Sequence, residues 1–308
     1  MSLVALIGDC TTTTSVAVAA SWPTRDEIVI LEADPSGGSL TGWLDTPPTP
    51  SLSTIVAQPR SATTTTPTTP TTPTTTWSAI DSAVQRSASG IRFIAAPVRA
   101  REASRAIDEA GTALWPMFTS SFVPTVLADC GRHTAADRLP AAVSLAATIV
   151  IIHRQENASA LAASVRLERL AETINGLGPL GVPIELAVIG TRPFYLDEIH
   201  RFVSGDTESV RAHALADDEL SAAVFAGRSG VSSKRLGRLP LIRSVRSITD
   251  AVRQSLGIDE DRRSDRSPHG SGAGSRAGGR DDARGSSWRG DRSDGNNGAW
   301  LDQLGTMR

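Results

Sequence analysis

The chain has 308 residues, 31 basic and 33 acidic side chains for a formal net charge of −2, and 40% apolar but only 4% aromatic residues. That length and composition support a sizeable core of Ala, Val, Leu and Ile, and the balanced charge excludes a global pull toward nucleic acid or acidic membrane. Cys10 and Cys130 are too few for a disulfide scaffold, no apolar run reaches the ~18 residues of a bilayer span, and residues 1–8 lack the basic segment of a secretory signal, so a cytoplasmic protein is expected. Lys234 is the single lysine. Any mechanism that needs a lysine near the N-terminus is therefore excluded.

Residues 3–7 read as an apolar strand, followed by a polar, Thr-rich turn over 8–15 and a helix through 16–20. A second strand is predicted at 28–31. Between 61 and 76 lies a Thr/Pro tract in which Pro67, Pro70 and Pro73 recur every third residue, the pattern of an extended, solvated surface loop. A third strand follows at 91–95 and a helix at 99–113. Further strands are predicted at 123–128, 147–152 and 184–189. Between the last two, residues 158–174 carry Leu161, Val165, Leu167, Leu170 and Ile174 at the spacing of an amphipathic helix. Residues 228–246 are basic (Arg228, Lys234, Arg235, Arg238, Arg243, Arg246), and 247–256 read as a helix. From 258 to 298 the chain is Arg, Asp, Gly and Ser with almost no apolar side chain, which predicts disorder. Trp300, Leu301 and Leu304 then form a small apolar cluster, read as incidental in preference to a docking motif.

Apolar strands alternating with helices imply an α/β domain over 1–257: a mostly parallel sheet covered by helices on both faces, with 258–308 as a tail. Ligands in such sheets bind beyond the C-terminal strand ends. There the chain carries Gly8-Asp9-Cys10-Thr11-Thr12-Thr13-Thr14-Ser15 before a helix, Glu32-Ala33-Asp34-Pro35, and Asp129-Cys130-Gly131. A strand, polar turn and helix present backbone N–H groups to an anion. Acidic residues beyond two neighbouring strands suit a metal or an oriented water.

In this order and spacing the chain resembles the ParA/MinD group of deviant Walker-type ATPases over about residues 1–257. Thr13-Thr14 stands at the Thr pair of that group's phosphate loop, Glu32-Ala33-Asp34-Pro35 at its D-x-D-P, and Val126-Leu127-Ala128-Asp129-Cys130 at its Walker B strand. The resemblance implies a three-layer P-loop NTPase fold, ATP and Mg²⁺ as ligands, and protein partners including a second copy of the chain. It makes Gly8, Asp9, Cys10, Thr11, Thr12, Thr13 and Thr14 the nucleotide-loop positions, and Glu32, Asp34 and Asp129 the metal or water-orienting ones. The loop departs from the group's K-G-G-x-G-K-[ST]. Thr12 falls at the phosphate-binding lysine, Ile7 at the signature lysine, and Asp9 and Thr11 at two glycines.

Two readings follow. In the first, the chain is a positioning or regulatory protein with a decayed nucleotide site. It acts through protein contacts in partitioning or in a secretion, conjugation or pilus system, and no catalytic residue is assigned. In the second it is a working ATPase with an unusual loop. The missing lysine favours the first. A plain nucleic-acid-binding module is disfavoured by charge balance and few aromatics. Arg235, Arg238, Arg243 and Arg246 read as a solvated face, with DNA or membrane contact as the alternative. Cys10 and Cys130 read as two small buried residues, not a redox or metal pair. His133, His153, His200, His213 and His269 show no ligand spacing. Arg in place of Lys, with much Ala and Thr, suggests a high-GC bacterial genome.

Overall fold

Strand β1 (Leu3–Gly8) takes the middle of the sheet because Leu3, Val4, Ala5, Leu6 and Ile7 are all buried, which leaves no side of the strand for water. The computed structural model describes residues 3–24, 27–57, 80–111, 115–118, 124–134, 137–156, 159–205, 209–225 and 237–258, all inside the unit Met1–Arg266. The Thr/Pro tract at 61–76 and the tail beyond 258 lie outside the described residues.

The remaining strands are β2 (Ile28–Glu32), β3 (Gln85–Arg86), β4 (Arg92–Ile94), β5 (Thr125–Asp129), β6 (Thr148–Arg154), β7 (Ile184–Ile189) and β8 (Val210–Leu215). They form one sheet in the order β3-β4-β2-β5-β1-β6-β7-β8, parallel except for the short β3. The strands ending near Ile7, Leu31 and Ala128 lie side by side, as the apolar runs predict. The helices are α1 (Thr11–Ser21), α2 (Leu40–Trp43), α3 (Leu52–Ala57), α4 (Ala100–Gly111), α5 (Trp115–Phe118), α6 (Ala141–Ser144), α7 (Ala160–Leu177), α8 (Leu196–Ser204), α9 (Glu219–Phe225) and α10 (Pro240–Ser255).

Strand alternation builds two cores. Val4, Leu6, Ile30 and Val150 face α1 and α10, meeting Val16, Val18, Leu241, Ile242, Val245 and Ile248. Leu3, Ala5, Ile7 and Ile149 face the other layer, meeting Ala106, Leu167, Leu170, Ile174 and Ile199 of α4, α7 and α8. Each such Leu, Ile or Val contributes about 1.5–3 kcal/mol on burial, so the two layers hold the sheet from both sides.

Four local expectations are corrected. Helix α1 starts at Thr11, not after Ser15; Thr11, Thr14 and Ser15 are buried in the first turns, and Ser15 Oγ donates to Thr12 O at 2.9 Å. Burial outweighs the helix propensity that Thr lacks, about 0.5 kcal/mol per residue. In α7 the buried stripe is Ala163, Leu167, Leu170, Ile174 and Leu177, while Leu161 is 76% exposed and Val165 also reaches solvent. Helix α10 begins seven residues earlier than predicted, at Pro240, a residue whose fixed φ suits a first helical turn. Strand β8 and helices α8 and α9 were not anticipated.

Candidate functional site

The end of β1 is pinned between its neighbours. Gly8 N–H donates to Gly131 O at 3.0 Å, Asp9 N–H to Ile152 O at 2.9 Å, and Cys130 N–H to Leu6 O at 2.9 Å. Gly8 sits at φ 110°, and a Cβ there would lie 2.2 Å from Ile152 O, so the turn requires glycine. Cys10 follows in the left-handed region at φ 55° and is the N-cap of α1. The Cys10 side chain makes no capping bond, and the first turn holds no acidic residue. Its leading N–H groups, which have no intrahelical partner, make the positive end of the helix an anion acceptor. A cavity of about 510 Å³ lies against it, lined by Cys10, Thr12, Thr13, Asp34, Ser36 and Arg132 among others.

The three predicted acids meet at the ends of β2 and β5 but differ in what they do. Asp129 is fully buried, and burial raises its carboxyl above the ordinary range; the Thr11 and Thr12 hydroxyls and the Gly131 N–H offset part of this, and Asp34 adds to it. Its Oδ1 accepts from Gly131 N–H at 3.3 Å, while Oδ2 has no hydrogen-bond partner among the described residues. Asp34 rests against the backbone of Gly131, where a Cβ would lie 2.3 Å from Asp34 Cγ, and its Oδ1 accepts from Ser36 N–H at 2.8 Å. Glu32 is occupied elsewhere. Its Oε1 accepts from the N–H groups of Ser39 (2.5 Å) and Leu40 (3.0 Å), and its Oε2 from Ala96 N–H at 3.0 Å. Glu32 therefore clamps the β2–α2 turn to the end of β4 and is not free to bind a metal. Burial nevertheless lifts its carboxyl to about 7. Among the described residues no group of three or more acidic, His or Cys side chains is placed to hold a metal ion.

Asp9 is also displaced from its expected role. Its Oδ2 accepts from Arg154 N–H at 3.2 Å and its Oδ1 lies 3.5 Å from Arg132 Nε, so it lines the neighbouring cavity and not the one at the Thr run. Two arginines flank the turn: Arg132, which directly follows the Walker B-like strand and is the arginine the sequence offers in place of the missing lysine, and Arg154, which the sequence does not single out. Arg132 lines both cavities, and Arg154 meets Asp217 through two bonds of 3.0 and 3.1 Å. Asp217 sits just beyond β8, a strand the sequence did not disclose.

No protein-family model matches the chain, and no curated protein sequence does. Solved structures do match. The septum site-determining protein MinD of Pyrococcus horikoshii OT3, complexed with Mg-ADP, superposes with a TM-score of 0.56 at 10% identity, covering 83% of this chain and 97% of that one. A chain of the Aquifex aeolicus MinC:MinD cell division protein complex gives 0.54 at 13% identity over 83% and 96%. A plasmid partition protein from Borrelia burgdorferi gives 0.51 at 10% identity over 81% and 96%. The chain has the MinD/ParA fold.

Within this MinD/ParA fold the Thr run occupies the strand–loop–helix turn, and Asp129 ends the strand beside it. The two cysteines are not alike, contrary to expectation: Cys10 is exposed at the start of α1 and Cys130 is buried. Of the basic stretch, Arg238, Arg243 and Arg246 are exposed, while Arg235 lies outside the described residues. The apolar residues beside them, Leu241, Ile242, Val245 and Ile248, are buried against the sheet, so α10 offers no apolar face to a bilayer. No described helix is long and apolar enough to cross a membrane.

Proposed function

We propose that the chain is a ParA/MinD-like positioning or regulatory protein whose nucleotide site has decayed. It works in the cytoplasm of a bacterium through protein contacts, with a second copy of itself or another partner, in partitioning or in a secretion, conjugation or pilus system. The observation that carries this reading is the charge at the loop. Thr12 stands where a phosphate-binding lysine is needed; Arg154 is held by Asp217, and Arg132, 3.5 Å from Asp9, lies outside the loop. A free cation 4 Å from a phosphate oxygen is worth roughly 4 kcal/mol at an effective dielectric of about 20, and residues 8–14 carry no basic side chain. Phosphoryl transfer depends on such charge as negative charge redistributes over the β- and γ-oxygens. Protein partnership is supported by one fold neighbour having been solved as a MinC:MinD complex.

One observation favours a working ATPase instead. Asp129 Oδ2 is buried and unpartnered beside the start of α1. Asp129, Asp34 and Thr13 would hold Mg²⁺ there, and the metal would supply part of the missing positive charge. Calorimetric titration with ATP·Mg²⁺ beside a steady-state turnover assay separates the two. The decayed site gives weak or no binding, and turnover no faster than an Asp129→Ala control. Tight binding with turnover that Asp129→Ala abolishes establishes the ATPase.

A further inference from the structure

A second cavity, of about 490 Å³, opens on the far side of β1, between the loop after β5, the end of β6 and helix α7. Its floor is apolar: Ile7, Ile151 and Leu170 are each at most 7% exposed. Its walls carry Arg132 and His133 from the loop, His153 from β6, and Arg166 and Arg169 from α7, three residues apart and so on one helix face. We propose that this cavity binds a small tetrahedral oxyanion, a phosphate or sulfate group, through guanidinium and imidazole donors that converge from three elements. A planar carboxylate is served by a single arginine fork. Donors arriving from three sides suit a tetrahedral group.

The charges around the cavity explain why an anion belongs there and why protons accompany it. Arg132 lies 3.5 Å from Asp9, and Arg166 Nη1 pairs with Glu156 Oε1 at 3.0 Å. Arg169 is exposed and forms no ion pair among the described residues, and Glu172 is the second acid of the lining beside Asp9. Three guanidiniums thus line the cavity with two carboxylates, Asp9 and Glu172, while Glu156 pairs with Arg166 from outside the lining. Burial disfavours the charged form of both imidazoles. Burial lowers His153 below the ordinary imidazole range, with Asp9 opposing and Arg166 reinforcing; burial lowers His133, with Asp137 opposing. An entering dianion favours the protonated rings, and each protonation adds an N–H donor directed at it. Binding and proton uptake are therefore linked.

The site is separate from the Thr run, so its test stands whichever reading of the nucleotide loop holds. Sulfate is the probe because its charge is constant across neutral pH. It is titrated at fixed ionic strength into full-length protein uniformly labelled with nitrogen-15, so that histidine rings and backbone amides are both read. Saturable movement of the His133 and His153 ring signals, with His200 and His213 unmoved, is expected, together with tighter binding as pH falls from about 7.5 to about 6. Arg169 is exposed and holds no ion pair, so Arg169→Ala should leave the melting curve in place. It should weaken sulfate about tenfold, the loss of one charged hydrogen bond, and Arg169→Lys should restore part of the affinity. Three outcomes overturn the proposal: ring signals that do not saturate, sulfate binding indifferent to Arg169→Ala, or a response confined to the Thr12 and Thr13 amides. ATP·Mg²⁺ serves as a separate arm. Displacement of sulfate by ATP·Mg²⁺ makes the cavity an extension of the nucleotide site and also refutes its independence.

Discussion

Glu32 and Asp129 are register partners at the ends of β2 and β5, yet one carboxyl is saturated with backbone donors while the other keeps a buried oxygen with no partner. The first is a clamp, and the second is held less completely by the protein. Two acids that look equivalent in the sequence thus differ in what surrounds them.

The clamp has a measurable pH signature. Folding raises the Glu32 carboxyl from 4.5 to about 7, so the folded state favours its protonated form. The associated stability is complete below pH 4.5 and is lost as pH rises through 7, a change of about 3 kcal/mol. Melting curves of Glu32→Gln against the native chain should show the variant gaining relative stability across that window. A difference that stays flat with pH refutes the assignment.

Gly8 and Gly181 both occupy positive φ, but only Gly8 is confined. A Cβ at Gly8 meets the Ile152 carbonyl, which is backbone and cannot yield, whereas at Gly181 nothing lies within 4 Å. Gly181→Ala should cost about 1 kcal/mol from its left-handed backbone alone. Gly8→Ala should cost about 3 kcal/mol or more, since strain and collision add. Denaturant midpoints compare the two, and equal losses would show that the β1 turn is looser than described.

The two thiols should separate cleanly. Cys10 is exposed, whereas Cys130 is 1% exposed and burial pushes its thiol up, with Asp129 and Asp34 adding to the effect. Native protein treated with a thiol reagent should gain one adduct rapidly and a second only on unfolding. Mass spectrometry of Cys10→Ser should then show no fast adduct.

The arginines of α10 are expected to be solvated. Changing Arg238, Arg243 and Arg246 to Ala should alter stability by no more than about 0.5 kcal/mol. Binding to plain duplex DNA should be weak at physiological salt. Tight binding whose salt dependence the triple variant flattens would instead assign these residues to phosphate contacts.

The buried strands were legible because their apolar runs are continuous: Ile184–Ile189 was read to the residue. Strand β8 was hidden by its own chemistry. Arg211 and His213 interrupt its pattern, yet both reach Glu185, a fully buried acid on β7; Arg211 bonds Glu185 Oε1, and His213 Nε2 meets Oε2 at 2.8 Å. A charged strand reads as polar until its partner is known to be inside. Helix α10 was shortened for a similar reason, since Arg243 and Arg246 look like a loop until Leu241, Val245 and Ile248 are seen beneath them. At the site, spacing correctly placed Asp129 and Asp34 at adjoining strand ends. It gave no direction for a carboxylate, so Glu32 and Asp9 were assigned to a ligand when the backbone and an arginine hold them. The cavity beside α7 is not legible in the sequence because its residues, from Asp9 to Arg169, are far apart along the chain.

The central place of β1 also has a consequence in time. Leu3 pairs with Val126, and Val4 with Thr148, so this strand finds both neighbours only after well over a hundred further residues have been made. At about 5–20 residues per second, this leaves it waiting somewhere between about 6 and about 30 seconds. During that interval Leu3–Gly8 is an apolar segment with neither of its neighbours formed. The innermost strand therefore stays unpaired for a long stretch of synthesis, and the nascent chain is exposed to mispairing through residues that end up deep in the fold.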